Sequence, residues 1–365
     1  MAKRSSKGAR CLEGAYYVSR QIYAQEWERI FSRRWLYAGR ASQLAEPGSY
    51  FLFELEPESV IVLRDAGGEV RAFYNVCPHR GTCLLTEPEG RVRHSIQCPY
   101  HAWTFALDGT LLGAPNMSEE EGFSRADYPL VPVPLTVWEG GVFLNFASQP
   151  EPFERAFQAV LTKFRPWRLS ELTVVHRQTY EVQANWKLMV QNYSECYHCP
   201  TLHPQLNRLT PYQASENDLE AGSVLGGPMH LTGEFESMTM SGRACATPLV
   251  GSEHQKRVYY YVLFPNVLLS LAPDYVLVHQ VLPEGPERSR VVCEWLFHPE
   301  AVAQPDFDPS GAIEFWHVTN QQDWEVCERT QKGVASQAYR PGPYGPLESM
   351  IAAFDREYFQ ALNAN

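Results

Sequence analysis

No uninterrupted apolar run in the sequence approaches the roughly eighteen residues that cross a bilayer, so no membrane span is expected. The basic start, Lys3-Arg4 to Arg10, has no apolar stretch behind it and fails as a secretory signal. Arg33-Arg34 runs into Trp35-Leu36-Tyr37 and then polar sequence, which is equally wrong for export. Positive charge is also short: 31 Lys and Arg face 42 Asp and Glu, for a net charge of −11. That balance argues against nucleic acid or an anionic membrane as the main partner. Nine cysteines is an odd number in a chain without a signal peptide. It argues against a disulfide scaffold and for metal ligands or free thiols. Cys11, Cys83, Cys245 and Cys293 lack His or Cys company and read as structural thiols. Repeats and low-complexity tracts are absent too, and the expectation is a soluble cytoplasmic protein.

What the chain does contain is enough for two cores. Its 365 residues, 44% of them hydrophobic, suggest two domains. Ile22, Tyr23, Trp27, Ile30, Phe31 and Trp35 keep helical spacing over 16–36, with Ser19 as N-cap. From about Gly39 the pattern becomes short β-type runs, with hairpin signals at Asp65 to Gly68 and at Asp108-Gly109. This small antiparallel β domain ends near Asn145-Phe146, with Pro129 to Pro134 on its edge. Ser148 to Pro152 marks a boundary. A helix is expected over 153–164 and a strand over 172–183, while 207–240 shows no clear period. Strands resume at Val258, Val267, Tyr275 and Arg290, and helices close the chain over 313–331 and 349–362. The fold class is α+β, with expected segments 1–38 (helical), 39–150 (β domain) and 151–365 (α+β domain carrying a long helix on an antiparallel sheet).

Two constellations carry chemistry. The first is Cys77-Pro78-His79 with Cys98-Pro99-Tyr100-His101. Two thiolates and two imidazoles can bind one Zn²⁺ or a mixed-ligand [2Fe–2S] cluster. A zinc finger groups its ligands by type, whereas here each loop offers one Cys and one His. One iron can then take both Cys and the other both His. The second constellation runs from Asn192 to His203. On a helix Asn192, Glu195 and His198 share a face; Pro200 should bend or end that helix so that His203 joins them. Two His with a carboxylate and open positions suit oxygen chemistry on Fe(II). Asp323 is the candidate carboxylate, on a helical stripe with Trp316, Asn320 and Cys327. A hydrogen-bonded core cluster for the two His, and an ordinary salt bridge for Asp323, are the alternatives on spacing alone.

The runs Cys77-Pro78-His79-Arg80-Gly81 and Cys98-Pro99-Tyr100-His101-Ala102-Trp103 closely resemble the Rieske iron–sulfur domain, with Pro99 and Trp103 as cluster cover. Asn192-x-x-Glu195-x-Tyr197-His198-x-x-x-x-His203, after Asn185-Trp186-Lys187, resembles the catalytic domain of Rieske non-haem iron oxygenase α subunits. Together with Asp323 the resemblance spans nearly the whole chain. It implies an N-terminal Rieske domain and a C-terminal helix-grip (START-like) catalytic domain. It also implies a [2Fe–2S] cluster on Cys77, His79, Cys98 and His101, and mononuclear Fe(II) on His198, His203 and Asp323. Asn192 would sit beside the iron. Glu195 would bridge electrons from His101 of a neighbouring subunit to His198 within a homotrimer. NAD(P)H would act indirectly, through a separate flavin/iron–sulfur reductase. Most family members have Asp at the position of Glu195. The block 192–199 and the stretch from Phe264 to Tyr275 resemble the branch that oxidises quaternary ammonium compounds such as carnitine, glycine betaine and stachydrine. That branch implies O₂-dependent hydroxylation or N-demethylation of a small betaine-like substrate. Tyr193, Tyr212, Phe235, Tyr261 and Trp316 are candidates for an aromatic pocket around its cation. An aromatic-ring hydroxylase or O-demethylase, and a Rieske electron-transfer or ligand-binding protein, are the competing readings.

Overall fold

The computed structural model describes residues 8–118 and 122–364; the basic start from Lys3 to Lys7 lies outside them. Two compact units divide the chain, Trp35–Pro150 and the discontinuous pair Met1–Arg34 with Glu151–Asn365. The N-terminal segment is thus part of the unit built by the last two hundred or so residues rather than a body of its own.

The unit Trp35–Pro150 is all β. Strands β1 (Leu36–Arg40), β2 (Ser49–Leu55), β3 (Glu58–Arg64), β4 (Val70–Tyr74), β5 (Glu89–Arg91), β6 (Ser95–Gln97), β7 (Thr104–Ala106), β8 (Leu111–Gly113), β9 (Leu135–Trp138) and β10 (Gly141–Leu144) form three sheets. Their orders are β1-β10-β9, β4-β3-β2-β5 and β6-β7-β8. Both hairpin signals mark turns. The Asp65 carboxylate accepts from the N–H groups of Gly67 and Glu69 between β3 and β4. Gly109, at φ +90°, turns β7 into β8 where a Cβ would strike the Phe73 ring. The Pro129 to Pro134 stretch runs beside β4, with Val133 donating to the Ala72 carbonyl at 2.9 Å. Ile61, Leu63, Phe73, Ile96, Phe105 and Leu111 fill a core that also encloses Cys77, Cys98 and Trp103.

The other unit begins with α1 (Ala15–Val18) and α2 (Arg20–Glu26), the latter capped by Ser19 Oγ accepting from Ile22 N–H at 3.3 Å. A π-helical turn, Trp27–Phe31, ends the helix there. The expected continuation to residue 36 is corrected, since Leu36 already starts β1. After residue 150 come α3 (Phe153–Ala156), β11 (Thr173–Val182), α4 (Trp186–Tyr193), α5 (Cys199–Leu202), α6 (Pro204–Leu209), β12 (Val224–His230), β13 (Arg257–Leu263), β14 (Val267–Leu271), β15 (Val276–Pro283), β16 (Ser289–Phe297), α7 (Pro299–Val302), α8 (Ser310–Val334) and α9 (Ser349–Leu362). The strands form one antiparallel sheet, β11-β16-β15-β14-β13-β12. Central β14 and β15 are buried along their whole length, whereas edge strand β11 alternates, as a half-exposed strand should.

One face of the sheet packs against α8, where Trp316 Nε1 donates to Tyr275 Oη at 2.7 Å and Asn320 meets His279. The other face is covered by the segment after α3: Phe164 lies against Tyr261, and Trp167 against Tyr259. The helix expected over 153–164 stops at Ala156 and gives way to three-residue turns, such as Lys163 N–H to Val160 O. Apolar packing of Phe157, Val160 and Phe164 holds this segment, and a continuous helix is not needed for it. The N-terminal and C-terminal ends meet. Arg10 donates to Pro341 O, Arg29 to Leu362 O at 2.9 Å, and Tyr358 Oη to Glu26 at 2.6 Å. Among the described residues no helix is long and apolar enough to cross a membrane.

Candidate metal centres and the cavity beside one of them

Helix α4 starts at Asn185, whose side chain accepts from Lys187 N–H at 3.1 Å. It is buried from Trp186 to Gln191 and ends at Tyr193. Asn192, Glu195 and His198 therefore do not share one helix, and that expectation is corrected. Ser194 Oγ donates to Val190 O at 2.6 Å at the terminus. The Glu195 carboxylate then caps the next turn, taking the N–H groups of Tyr197 and His198 on Oε2. Its Oε1 faces His198 Nδ1 at 2.6 Å. Pro200 does not break a helix either; it sits in the first turn of α5, where its missing N–H costs nothing. His203 falls at the joint between α5 and α6, kept out of the helical region by Pro204. Cys196 and Cys199 are joined by a disulfide across this turn, a correction to the expectation of free thiols; Cys11, Cys83, Cys245 and Cys293 are free.

The two imidazoles and Asp323 of α8 converge. Asp323 Oδ1 is 2.8 Å from His203 Nε2 and 3.5 Å from His198 Nε2. Each ring is anchored from behind, His198 through Glu195 and His203 through Gln322 Oε1, 2.7 Å from Nδ1. With both Nδ1–H groups given to acceptors, two Nε2 lone pairs and a carboxylate oxygen point at one another. Such a trio needs a positive charge between its members. Among the described residues it is the one group of three His, Cys, Asp or Glu side chains whose ligand atoms lie within 4.8 Å. The titration of His198 and Asp323 says the same. Burial works against the charged forms, yet hydrogen bonds to Asp323 and Glu195 carry His198 up to about 10. Hydrogen bonds from His198 and His203 likewise outweigh burial and hold Asp323 down at about 2. A divalent cation would compete with the proton that His198 otherwise holds. The donors suit Fe(II) with open positions.

The trio forms one end of a cavity of about 860 Å³, a figure that includes its open mouth. Asn192, Tyr193 and Trp316 line it, as does Tyr260, which the sequence reading missed. Tyr212, Phe235 and Tyr261 are not on its wall, a correction to the expected pocket. Alternation along β13 explains one miss, because Tyr260 faces the cavity while Tyr259 and Tyr261 face the other side. Tyr261 is bonded instead to Asp218 at 3.0 Å. Phe235 lies under the Arg208 guanidinium, and Tyr212 Oη accepts from Gln213. Gln322 was also missed; its only signal in the sequence is adjacency to Asp323.

In the β unit, Cys77 and His79 sit on the loop after β4, and Cys98 and His101 on the loop between β6 and β7. Tight backbone turns shape both: Gly81 N–H bonds Cys77 O, Ala102 N–H bonds Cys98 O, and Ala102 takes φ +57°. Both thiols are buried, which pushes Cys77 up. At Cys98 burial is outweighed by N–H groups of Tyr100 and His101, and the thiol is lowered. His79 stacks on Trp103 at 4.7 Å and meets the His101 ring at 4.7 Å. The Nδ1 atoms of His79 and His101 are buried without a hydrogen-bond partner among the described residues. Two orphaned imidazole nitrogens beside two buried thiols fit a metal cluster. No three of the four converge as the His198 trio does. A single zinc ion would require donors within about 4 Å of one another; a two-iron cluster spreads them.

Comparison with known proteins agrees with both centres. Residues 34–134 match the Rieske [2Fe-2S] domain, and residues 169–364 match the ring hydroxylating alpha subunit (catalytic domain). The chain is 32% identical over 374 residues to the glycine betaine monooxygenase oxygenase subunit of Chromohalobacter salexigens, covering 93% of this chain and 83% of that protein. It is 30% identical over 337 residues to the carnitine monooxygenase oxygenase subunit of Escherichia coli, covering 89% and 84%. A quaternary ammonium Rieske monooxygenase solved with L-carnitine has a TM-score of 0.80 at 26% identity, over 100% of this chain and 99% of that one. Naphthalene 1,2-dioxygenase from a Rhodococcus species, at 19% identity, TM-score 0.80 and 96% and 94% coverage, shares the fold. The catalytic-domain match takes in more than half of the chain, and the cluster-domain match falls on the loops with the orphaned imidazoles. The chain therefore belongs to the ring-hydroxylating α subunits: it is an oxygenase component, an oxidoreductase with a Rieske [2Fe–2S] domain and a non-haem iron catalytic domain.

Proposed function

We propose that this oxygenase component hydroxylates an N-methyl or neighbouring carbon of a small quaternary ammonium compound. The observation that carries the reading is the cavity itself: the Tyr193, Tyr260 and Trp316 rings line a space whose inner end is the His198, His203 and Asp323 trio. Ring faces and carboxylates both attract an alkylammonium cation. The relatives named above as glycine betaine and carnitine monooxygenase subunits support the same substrate class.

In this reading His198 Nε2, His203 Nε2 and Asp323 hold the mononuclear iron, while Cys77 and Cys98 hold one cluster iron and His79 and His101 the other. When bound, these groups supply one-electron chemistry that reduces O₂ with electrons from a separate reductase and NAD(P)H. The balance is one C–H bond converted to C–OH, one water formed and one NAD(P)H oxidised. An N–CH₂OH product then releases formaldehyde and a proton, leaving the tertiary amine.

The protein's own groups prepare this chemistry. Glu195 and Gln322 fix the imidazole tautomers, which raises ligand basicity and orients the rings. The cavity aromatics place the methyl-bearing end and exclude water from it. A homotrimer would bring His101 of the partner subunit against Glu195, the acceptor already bonded to His198.

The test is a substrate screen. Purified protein with a reductase and NADH is given betaines, choline and aromatic acids, while formaldehyde release and O₂ uptake are followed. Turnover of an aromatic acid alone would overturn the substrate class. Glu195→Gln should load both metal centres normally, by iron content and cluster absorbance, and lose turnover about 10-fold to 100-fold, in line with support groups of this kind. Normal turnover in that variant would rule out the bridging role.

A further inference from the structure

Two cysteines stand on the wall of the cavity in which O₂ would be reduced. Cys196 and Cys199 both line it, and among the described residues no other cysteine does. They are bonded to each other, and the metal-site residue His198 lies between them in the chain. Nothing in the proposed hydroxylation uses them.

The bond is not needed to shape the turn it spans. Cys199 N–H donates to Cys196 O at 3.1 Å, which closes the same turn without the sulfurs. Glu195 Oε2 takes the N–H groups of Tyr197 and His198 from one side. On the other side His203 N–H donates to Cys199 O at 2.8 Å, and Thr201 N–H to His198 O at 3.0 Å. A cross-link over so short a loop also removes little freedom from the unfolded chain, since the entropy gain grows with loop length. With the backbone fixed independently, the sulfurs can pass between disulfide and dithiol while His198 and Glu195 keep their places.

The surroundings suit chemistry with a small oxidant. Cys196 is half-buried on the cavity wall, whereas Cys199 is buried. A more open sulfur beside a sheltered one fits attack on the first and resolution by the second. Met229 and Met350 line the same wall and are oxidisable too. Exposed Cys83 belongs to the other unit, and free Cys11 and Cys245 are off this wall.

We propose that Cys196 and Cys199 form a redox-active pair that consumes hydrogen peroxide arising at the iron trio, with a dithiol as the reductant that restores it. The inference rests on the trio holding the iron, and it is independent of which substrate is hydroxylated. When two electrons and two protons reach O₂ without a C–H bond being hydroxylated, the product is H₂O₂. The Cys196 sulfur takes one of its oxygens as the O–O bond breaks, giving a sulfenic acid and one water. The Cys199 sulfur then displaces that oxygen as a second water, and the S–S bond forms. The pair has lost two electrons, and its two thiol protons are in the waters. A small dithiol returns both by exchange and itself becomes a disulfide. The structure shows the oxidised half of this cycle. Peroxide is thereby spent on a renewable bond instead of on the imidazoles or the wall methionines.

The experiment follows the cysteines and methionines through one cycle. Holoenzyme, its iron content and cluster absorbance measured first, is reduced anaerobically with dithiothreitol, desalted and given one equivalent of hydrogen peroxide. Samples are quenched by alkylation, digested and read by mass spectrometry. Cys196 and Cys199 should lose their free thiols together and before Cys83, as a disulfide that dithiothreitol reverses. A second aliquot, with the pair left oxidised, receives the same peroxide. Its Met229 and Met350 should carry about threefold more sulfoxide, because the sulfurs have no electrons to give. Cys196→Ser with Cys199→Ser should match that oxidised aliquot. The inference is overturned if Cys83 is oxidised first, if dithiothreitol leaves the native disulfide intact, or if the two aliquots gain equal sulfoxide. Starting protein with no iron beyond the cluster overturns the iron assignment and this inference with it. Iron-loaded protein with an inert pair overturns this inference alone.

Discussion

Gln322 shows what a single side chain can add to a metal site. Its amide oxygen receives His203 Nδ1 at 2.7 Å and so turns the other ring nitrogen toward Asp323. Gln322→Leu should weaken iron retention about 10-fold to 100-fold, the usual cost of losing such a partner. Iron content after dialysis against a chelator measures it, with cluster absorbance unchanged as the internal control; Gln322→Glu, which keeps an acceptor, should retain iron. The convergence of His198, His203 and Asp323 was legible through the resemblance to the oxygenase pattern, since spacing alone left a core cluster and an ordinary salt bridge open. Gln322 and Tyr260 were not. A glutamine is ordinary on a helix, and a tyrosine among three consecutive ones reveals its face only when the register of β13 is known.

At the scale of elements, α4 is held by a buried ion pair. Lys187 Nζ lies 2.5 Å from Glu26 Oε1, both fully buried, and Glu26 also takes Trp186 Nε1 and Tyr358 Oη. Burial lowers Lys187, while Glu26 works to keep it charged. Removing one partner leaves an isolated charge. Lys187→Met should cost about 3–5 kcal/mol, or about 10 °C in melting temperature for a unit of this size. Glu26→Gln with Lys187→Met should recover most of that loss, since the charges leave together; differential scanning calorimetry distinguishes the two. The strands and the two long C-terminal helices were visible as periodicity. The end of α4 was not, because Glu195 and His198 fit helical spacing, while the terminus is set by Ser194 and Glu195 competing for backbone groups.

For the whole molecule, the buried titratable groups set how stability depends on pH. His279 is buried against Asn320, and burial lowers it to about 4. Its unfolded value is near 6.5, so the unfolded chain binds the proton first and stability falls as pH drops from about 6.5 to about 4. Asp355, held by Tyr344 and Gln191, is raised by burial to about 6. Its term has the opposite sign and removes stability as pH rises from about 4 to about 6. The two offset each other in the wild type. His279→Gln should therefore gain on wild type by about 3 kcal/mol between pH 7 and pH 4, read from paired melting temperatures at each pH. The two-part composition of the chain was legible from the switch in periodicity near Gly39 and the break near Pro150. That the first thirty-four residues belong with the last part was not, since no local pattern encodes a contact between Arg10 and Pro341.

That closure of the two ends orders events during synthesis. The β unit, Trp35–Pro150, has all its own strands once residue 144 is out of the ribosome, and β1 can then zip onto β10. The segment that precedes it must wait. Its anchors, Pro341, Tyr358 and Leu362, are translated more than three hundred residues after Arg10, Glu26 and Arg29. Because domains form as units while the chain grows, the cluster-binding part can mature on the nascent chain. The iron-binding part cannot close until residues 341–362 have been made, and Arg10, Glu26 and Arg29 lack these partners until then.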